Sequence, residues 1–443
     1  MQIRDTMPIA MGGHKGVRHT GGAQPDSAPP AVQCQDGFQR SSGGSSAILC
    51  NITGKTGAIM DFSEVGKETW AFPTETHPML NVELTADNKL LCQDQQKIYS
   101  LNRTTGEKVW EVTKDRGGIS DFAFLKDGTV FSDQAVNGQV VSLNGVNGRE
   151  KWRHDTGGLG HTQLIASPDD LSLFVSGLMT KGGDSQKVIK SLDPGTGKVQ
   201  WERQFPSNLV SNISISGDGK TCVAEVSDGI VALDAKTGAV KWENHDLDKV
   251  KGSYMAAVGA HGEVFFTGKD LRLRAIDGAT GKQKWMLPIT DDMSGVPMLG
   301  PNNEVYLYGR GNLTAVDGSS GKTMWKHQSK EQNLHSMGMG PDGTIYAYGM
   351  QSKQLFAIDG RDGSVKNSYS VAKTWFQSKM SDDGSVYYAG DDMKIHAIKV
   401  VLQEKDIQEI AAKLQSASEP REKDKVELAG DWLIIGGVKL PVK

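Results

Sequence analysis

Cysteine is scarce in this chain of 443 residues: Cys34, Cys50, Cys92 and Cys222 are the whole supply. Their spacing fits neither a zinc nor a redox motif and no two are adjacent, so the expectation is four free thiols in a reducing compartment. An excess of either charge is lacking too. A formal net charge of −4 and a pI near 6.2 give no electrostatic case for nucleic acid or an acidic membrane surface. No apolar run has the length of a secretory signal or a bilayer span, so neither is expected. Between Trp70 and Lys399 no stretch carries a 3.6-residue period, which argues against helical repeats.

What the chain does contain is a hairpin written many times. Val231 to Trp242 reads V-A-L-D-A-K-T-G-A-V-K-W, a short apolar strand, a polar Thr-Gly turn, and a second strand ending on Trp. A Gly four residues before a Trp recurs at Gly66/Trp70, Gly106/Trp110, Gly148/Trp152, Gly197/Trp201, Gly238/Trp242, Gly281/Trp285 and Gly321/Trp325. An eighth Gly, Gly363, is followed by Asn367 at the Trp place. The Trp-to-Trp steps are 40, 42, 49, 41, 43 and 40 residues, the period of four-stranded propeller blades.

A second mark runs out of phase with the first. Turn-type pairs fall at Asp87-Asn88, Asp127-Gly128, Asp169-Asp170, Asp218-Gly219, His261-Gly262, Asn302-Asn303, Asp342-Gly343 and Asp383-Gly384, again eight. Each unit therefore reads strand A, polar turn, strand B, loop, strand C, Thr-Gly turn, strand D with its Trp. The last unit, around Trp375–Met380, Val386–Ala389 and Ile395–Val400, lacks a Trp strand, and Glu68–Phe72 lacks a blade before it. Joining the two predicts an eight-bladed β-propeller closed by its own ends, which leaves no open sheet edge at the ring seam. The seven tryptophans, Trp70, Trp110, Trp152, Trp201, Trp242, Trp285 and Trp325, are expected to form a structural girdle between blades. A group of this size buries about 150–250 Å².

The domain plan follows. Residues 1–56, rich in Gly, Ser, Pro and Gln, are expected to be disordered. As an uncleaved leader they would suit a needle-type secretion signal. Residues 57–401 form the propeller, and 402–443 an appendage. There Leu402–Ala417 places Ile407, Ile410, Ala411 and Leu414 on one face of an amphipathic helix, and Trp432–Val442 reads as a hairpin turning at Gly436-Gly437. The 49-residue step lengthens the third blade at Leu178–Lys187, between strands B and C, a candidate contact loop.

The phrase A-x-D-x-x-T-G-x-x-x-W, as in Ala232–Trp242 and nearly so in Ala275–Trp285 and Ala315–Trp325, is similar to the tryptophan-docking repeat of the quinoprotein-like propeller family. The resemblance spans roughly Ala58–Val400 and implies the propeller fold. Catalytic members of that family hold pyrroloquinoline quinone and calcium in the ring, with a catalytic Asp, Glu and Asn metal ligands, and a vicinal cysteine pair. This chain has no such pair and no Asp that stands out as a base. It resembles instead the non-catalytic branch, like the eight-bladed lipoprotein that assists outer-membrane barrel assembly, although it lacks that protein's lipid-attachment cysteine.

Loops joining strand D to the next strand A share a face with the B–C loops. His77, His154, His161, His245, His327 and His335 are read as D–A residues, and Arg116, Arg203, Asp291, Asp292, Arg310 and Trp375 as neighbours on that face. Mixed charge beside an aromatic suits a protein contact. The turns at Ser216–Gly219 and Ser381–Gly384 lack the alternating ligands of a calcium loop, and no helix follows a Thr-Gly turn to cradle phosphate. The expectation is thus a monomeric, non-catalytic scaffold with no cofactor, metal, nucleic acid or membrane span. Its partner would be another protein, in the most specific version a host protein met by a secreted bacterial effector. A bacterial cytosolic or envelope assembly scaffold is the alternative, and a quinone-dependent or sugar-handling enzyme with its site in the central channel comes after it.

Overall fold

The computed structural model describes residues 66–400, together with 33–34, 50–51, 426–429, 432–435 and 438–441. Within 66–400 it leaves out 67, 78–81, 116–119, 135–137, 182–183, 207–212, 227–228, 246–255, 260–261, 269, 291–296, 310, 332–333, 341, 373 and 375–377. Every described element of the ring is a strand.

Eight antiparallel four-stranded sheets follow one another, each in the order A-B-C-D. Blades I to VII span Glu83–Thr113, Phe122–Asp155, Gly160–Pro206, Ile213–Asn244, Ala257–Pro288, Met298–Gln328 and Leu334–Ser370. Blade VIII takes Lys379–Met380, Ser385–Ala389 and Lys394–Lys399 from the chain's end and Glu68–Pro73 as its strand D, so the ring is closed by the N-terminal strand. Neighbouring A strands lie beside one another, which puts them innermost. The core is a set of layers between blades. In the III/IV layer Phe174, Ile189 and Trp201 meet Ile213, Cys222 and Leu233.

Each letter of the repeat has a physical job. In every A–B turn the second residue has positive φ, from 60° at Asp170 to 86° at Gly262, the left-handed conformation a two-residue hairpin turn requires. In the C–D turn of blade IV, Asp234 Oδ1 accepts the Thr237 N–H (2.9 Å) and hydroxyl (2.7 Å), and Gly238 N–H closes onto Asp234 O at 2.8 Å. A small residue faces each Trp across the C–D ladder: Ala232 opposite Trp242, Ser191 opposite Trp201, Ser142 opposite Trp152, Ser100 opposite Trp110, Ala397 opposite Trp70.

The Trp then reaches out of its own blade, and all seven indoles donate to a carbonyl in the following blade's C–D turn. Trp70 donates to Arg103 O at 3.1 Å, Trp110 to Gly145 O at 2.8 Å and Trp152 to Pro194 O at 2.9 Å. Trp201 reaches Ala235 O (2.9 Å), Trp242 Gly278 O (2.8 Å), Trp285 Gly318 O (2.8 Å) and Trp325 Gly360 O (2.9 Å). Burial is uneven around this girdle. Trp110, Trp201 and Trp242 are buried, whereas Trp70, Trp152, Trp285 and Trp325 keep an edge in solvent. Trp152 also leans on Phe131 of its own blade, ring centres 5.6 Å apart, as Trp201 does on Phe174 at 6.0 Å.

Each ring lies flat over the positive-φ Gly of the turn it meets. A Cβ on Gly148 would fall 3.0 Å from the Trp110 ring, one on Gly197 2.6 Å from Trp152, and one on Gly238 2.7 Å from Trp201. Glycine is therefore demanded twice, by φ and by the ring above it.

Cys92 and Cys222 are buried, free thiols, and burial pushes the Cys222 thiol up to about 12. Cys34 lies opposite Cys50 in a two-residue ladder. At the other end a third strand, Val426–Ala429, joins the expected hairpin strands Trp432–Ile435 and Val438–Pro441. The expected helix lies outside the described residues, as do the other parts of the leader. Among the described residues no helix is long and apolar enough to cross a membrane.

Candidate functional site

The D–A and B–C connections share one face, and blade III alters it most. Its B and C strands, Leu173–Lys181 and Asp184–Leu192, run nine residues each where other blades use five or six. Strand D of the same blade lengthens with them, so that Lys187 pairs with Phe205 and Gln186 with Pro206. On the inner side Gly160 pairs with Leu178. Beyond that pair the hairpin continues, held to the ladder from one side only.

At its base Lys187 is buried, 1 % exposed, and burial depresses its ammonium to about 8 against the pull of Glu225 on blade IV. Beside blade III, blades I and II build a second patch on the same face. Asp94 accepts the N–H groups of Glu75, Thr76, Gln96 and Lys97 and the Tyr99 hydroxyl. Burial pushes its carboxyl up, but these donors hold it below the usual range. Lys114 Nζ donates to Gln93 Oε1 (2.9 Å) and the Asp94 carbonyl (2.7 Å), and burial lowers it to about 8. Such a network fixes two D–A loops to one B–C turn.

Several residues expected on this face have other work. Trp is followed two positions later by a side chain on the same side of strand D, and that side chain also meets the next blade's turn. Arg203 Nε donates to Gly238 O at 2.6 Å, and Asn244 Nδ2 to Gly281 O at 2.6 Å. His154 and His327 stand at the same place in blades II and VI. Burial lowers both imidazoles, partly offset by the backbone of Gly197 and Gly363. These three predicted contact residues thus belong to the blade joints. His161 and His335 lie within A strands, not in loops.

His77 and His245 do sit in D–A segments. His245 Nε2 lies 3.0 Å from Glu243, and His335 Nε2 3.1 Å from Met350 Sδ, with burial lowering the His335 imidazole. Arg116, Asp291, Asp292, Arg310 and Trp375 lie outside the described residues.

The central channel holds a group that no sequence pattern announces. A cavity of about 660 Å³ opens among the A strands of blades VIII, I, II and III. Lys379 Nζ meets Glu83 at 3.1 Å there, and Asp121 Oδ2 accepts Leu164 N–H at 2.9 Å. Burial raises both carboxyls, with Lys379 opposing the rise. Lys379 and Glu83 occupy the same register position, five residues before the second residue of the A–B turn. That offset is a signal available in the sequence, but only once blades I and VIII are known to be neighbours. None of the seven tryptophans borders this cavity: Trp70, Trp110 and Trp152, in the three joints between these blades, point into the VIII/I, I/II and II/III layers. Among the described residues no three His, Cys, Asp or Glu side chains converge as a metal-holding group.

Eight blades, seven of their joints locked by docked tryptophans, define a quinoprotein-like β-propeller. The chain belongs to the family described as outer membrane protein assembly factor BamB, which matches residues 55–220, 184–334 and 226–386. Among solved structures it is similar to BamB from Moraxella catarrhalis, with 14 % identity, a TM-score of 0.56, and coverage of 75 % of this chain and 96 % of that one. The quinohemoprotein alcohol dehydrogenase from Comamonas testosteroni gives 13 % identity and a TM-score of 0.56, covering 82 % and 78 %. At these identities the likeness shows the fold alone. A polyvinylalcohol dehydrogenase from Pseudomonas sp is 28 % identical over 141 residues, 31 % of this chain and 22 % of that protein. The chain spans less than half the length of the curated relatives it matches.

Proposed function

We propose that this propeller is a non-catalytic platform that binds another protein on its D–A and B–C face. The observation that carries the reading is the lengthened hairpin of blade III, which projects from an otherwise regular ring. Membership in a family described by an assembly factor supports it. A preformed projection presents side chains at little ordering cost, which favours association. The more specific version is a bacterial protein, made in the cytoplasm and exported without a cleaved signal, that engages host proteins. A bacterial assembly scaffold is the alternative.

The test places a photo-cross-linker in the full chain at Gln186, exposed on the hairpin, or at Lys220, exposed on the opposite face. Capture of one protein from Gln186 and not from Lys220 is expected. Equal capture from both positions, or none, would overturn the reading. Capture from a eukaryotic lysate alone supports the host version, and from a bacterial lysate alone the assembly scaffold. An absorbance change on titration with quinone and calcium would move the assignment to the channel enzyme.

A further inference from the structure

The joint between blades VII and VIII is built unlike the other seven. Asn367 occupies the Trp place, opposite Ala357. The partner turn is missing because strand C of blade VIII ends at Lys399 and its strand D begins at Glu68, at opposite ends of the chain. Tyr369, two positions on, fills the gap. Its ring covers Gly66, whose φ is 81°, and its hydroxyl donates to Val400 O at 3.3 Å. The buried Nδ2 of Asn367 sits near that hydroxyl without a well-formed hydrogen bond. A continuous turn with an indole bonded into it is replaced here by two chain ends and one long hydrogen bond.

The chain leaves the ring at Val400, in this joint. Its last strand, Val438–Pro441, returns to lie along the outer strand of blade VII, Val365–Ser370, without entering that sheet. We infer that the C-terminal sheet of Val426–Ala429, Trp432–Ile435 and Val438–Pro441 is a strap that docks in cis on blade VII, beside the joint that has no tryptophan lock. The occupant is the chain's own tail: it starts at the seam, its final strand already lies on the blade, and its W-L-I-I and V-K-L-P segments are apolar in sequence. The inference stands independently of the protein-binding proposal.

Hydrogen exchange on the full chain tests it, comparing the unmutated protein with Leu440→Asp. Exchange of 365–370 is expected to speed up by about tenfold or more in the variant, with 240–244, the outer strand of blade IV, unchanged. Unchanged exchange at 365–370 would overturn the strap. If both segments speed up, the variant has lost its fold, and the unmutated chain decides: a short amine-reactive cross-linker should join Lys439 to Lys353, exposed on blade VII. Links from Lys439 only to lysines of blades II to V would refute it. Protection of 365–370 that depends on protein concentration would also refute it, in favour of a tail exchanged between two copies.

Discussion

The III/IV joint and the VII/VIII joint do the same task with different parts. In the first, Trp201 donates to Ala235 O at 2.9 Å and lies over Gly238, and Arg203 adds a bond to the same turn. In the second, Tyr369 and Asn367 face two chain ends. A tryptophan lock needs a closed turn in the next blade to receive the indole N–H. Where the chain's own ends interrupt that turn, the large donor has no acceptor, and a buried donor left without one costs about 1–3 kcal/mol. The departure at Asn367 is therefore the expected companion of ring closure by the termini and not decay of the eighth repeat.

Four measurements bear on that contrast. Trp242→Ala removes an indole from a regular joint and should cost about 3–5 kcal/mol, read as a lower urea midpoint. An unchanged midpoint would refute its placement between blades. Next comes glycine. Gly238→Ala meets both a φ of 68° and the Trp201 ring, and should cost about 2–4 kcal/mol. Gly262→Ala meets positive φ with nothing within 4 Å, and should cost only about 1 kcal/mol. Equal costs would mean that the ring contact contributes nothing.

At the seam, Asn367→Trp restores the repeat's letter without its turn. It should destabilise by about 1–3 kcal/mol through overpacking against Tyr369, and a gain in stability would contradict the account of the missing acceptor.

The smallest effect is a slope with pH. Lys187 titrates near 8 in the folded chain and near 10.4 unfolded. Between those values the unfolded chain holds a proton the folded one has lost, so this group's contribution makes stability rise with pH there. Below 8 both states are protonated and its contribution is flat. The urea midpoint of the native protein, less that of Lys187→Gln, should climb from pH 8 to 10. A difference that stays flat would place the ammonium in water.

Much of the ring was legible in the sequence because its requirements are local. Positive φ favours Gly, Asn or Asp at the turn, and a C–D hairpin ending on Trp keeps its spacing whatever surrounds it. The candidate face was less legible. His154, Arg203 and His327 looked like loop residues because strand D was ended too soon after the Trp. Period-two alternation past the Trp would have placed them beside the indole, on the next blade's turn. The uneven cover over Trp110 and Trp152 was not legible either, because it depends on how neighbouring blades pack and not on the repeat's letters. Glu83 and Lys379 share an offset from the A–B turn that Asp121 lacks, and only the assembled ring shows that three different blades bring them to one channel.

The number of blades, the turns and the closure of the ring by its two ends follow from sequence alone, as short-range backbone geometry repeated at a period near 40. The assembled ring was needed to show that each tryptophan serves the next blade, that Tyr369 replaces one at the seam, and that a Lys–Glu pair meets in the channel. Those outcomes depend on which surfaces curvature brings together, and no stretch of chain the length of one blade contains that information.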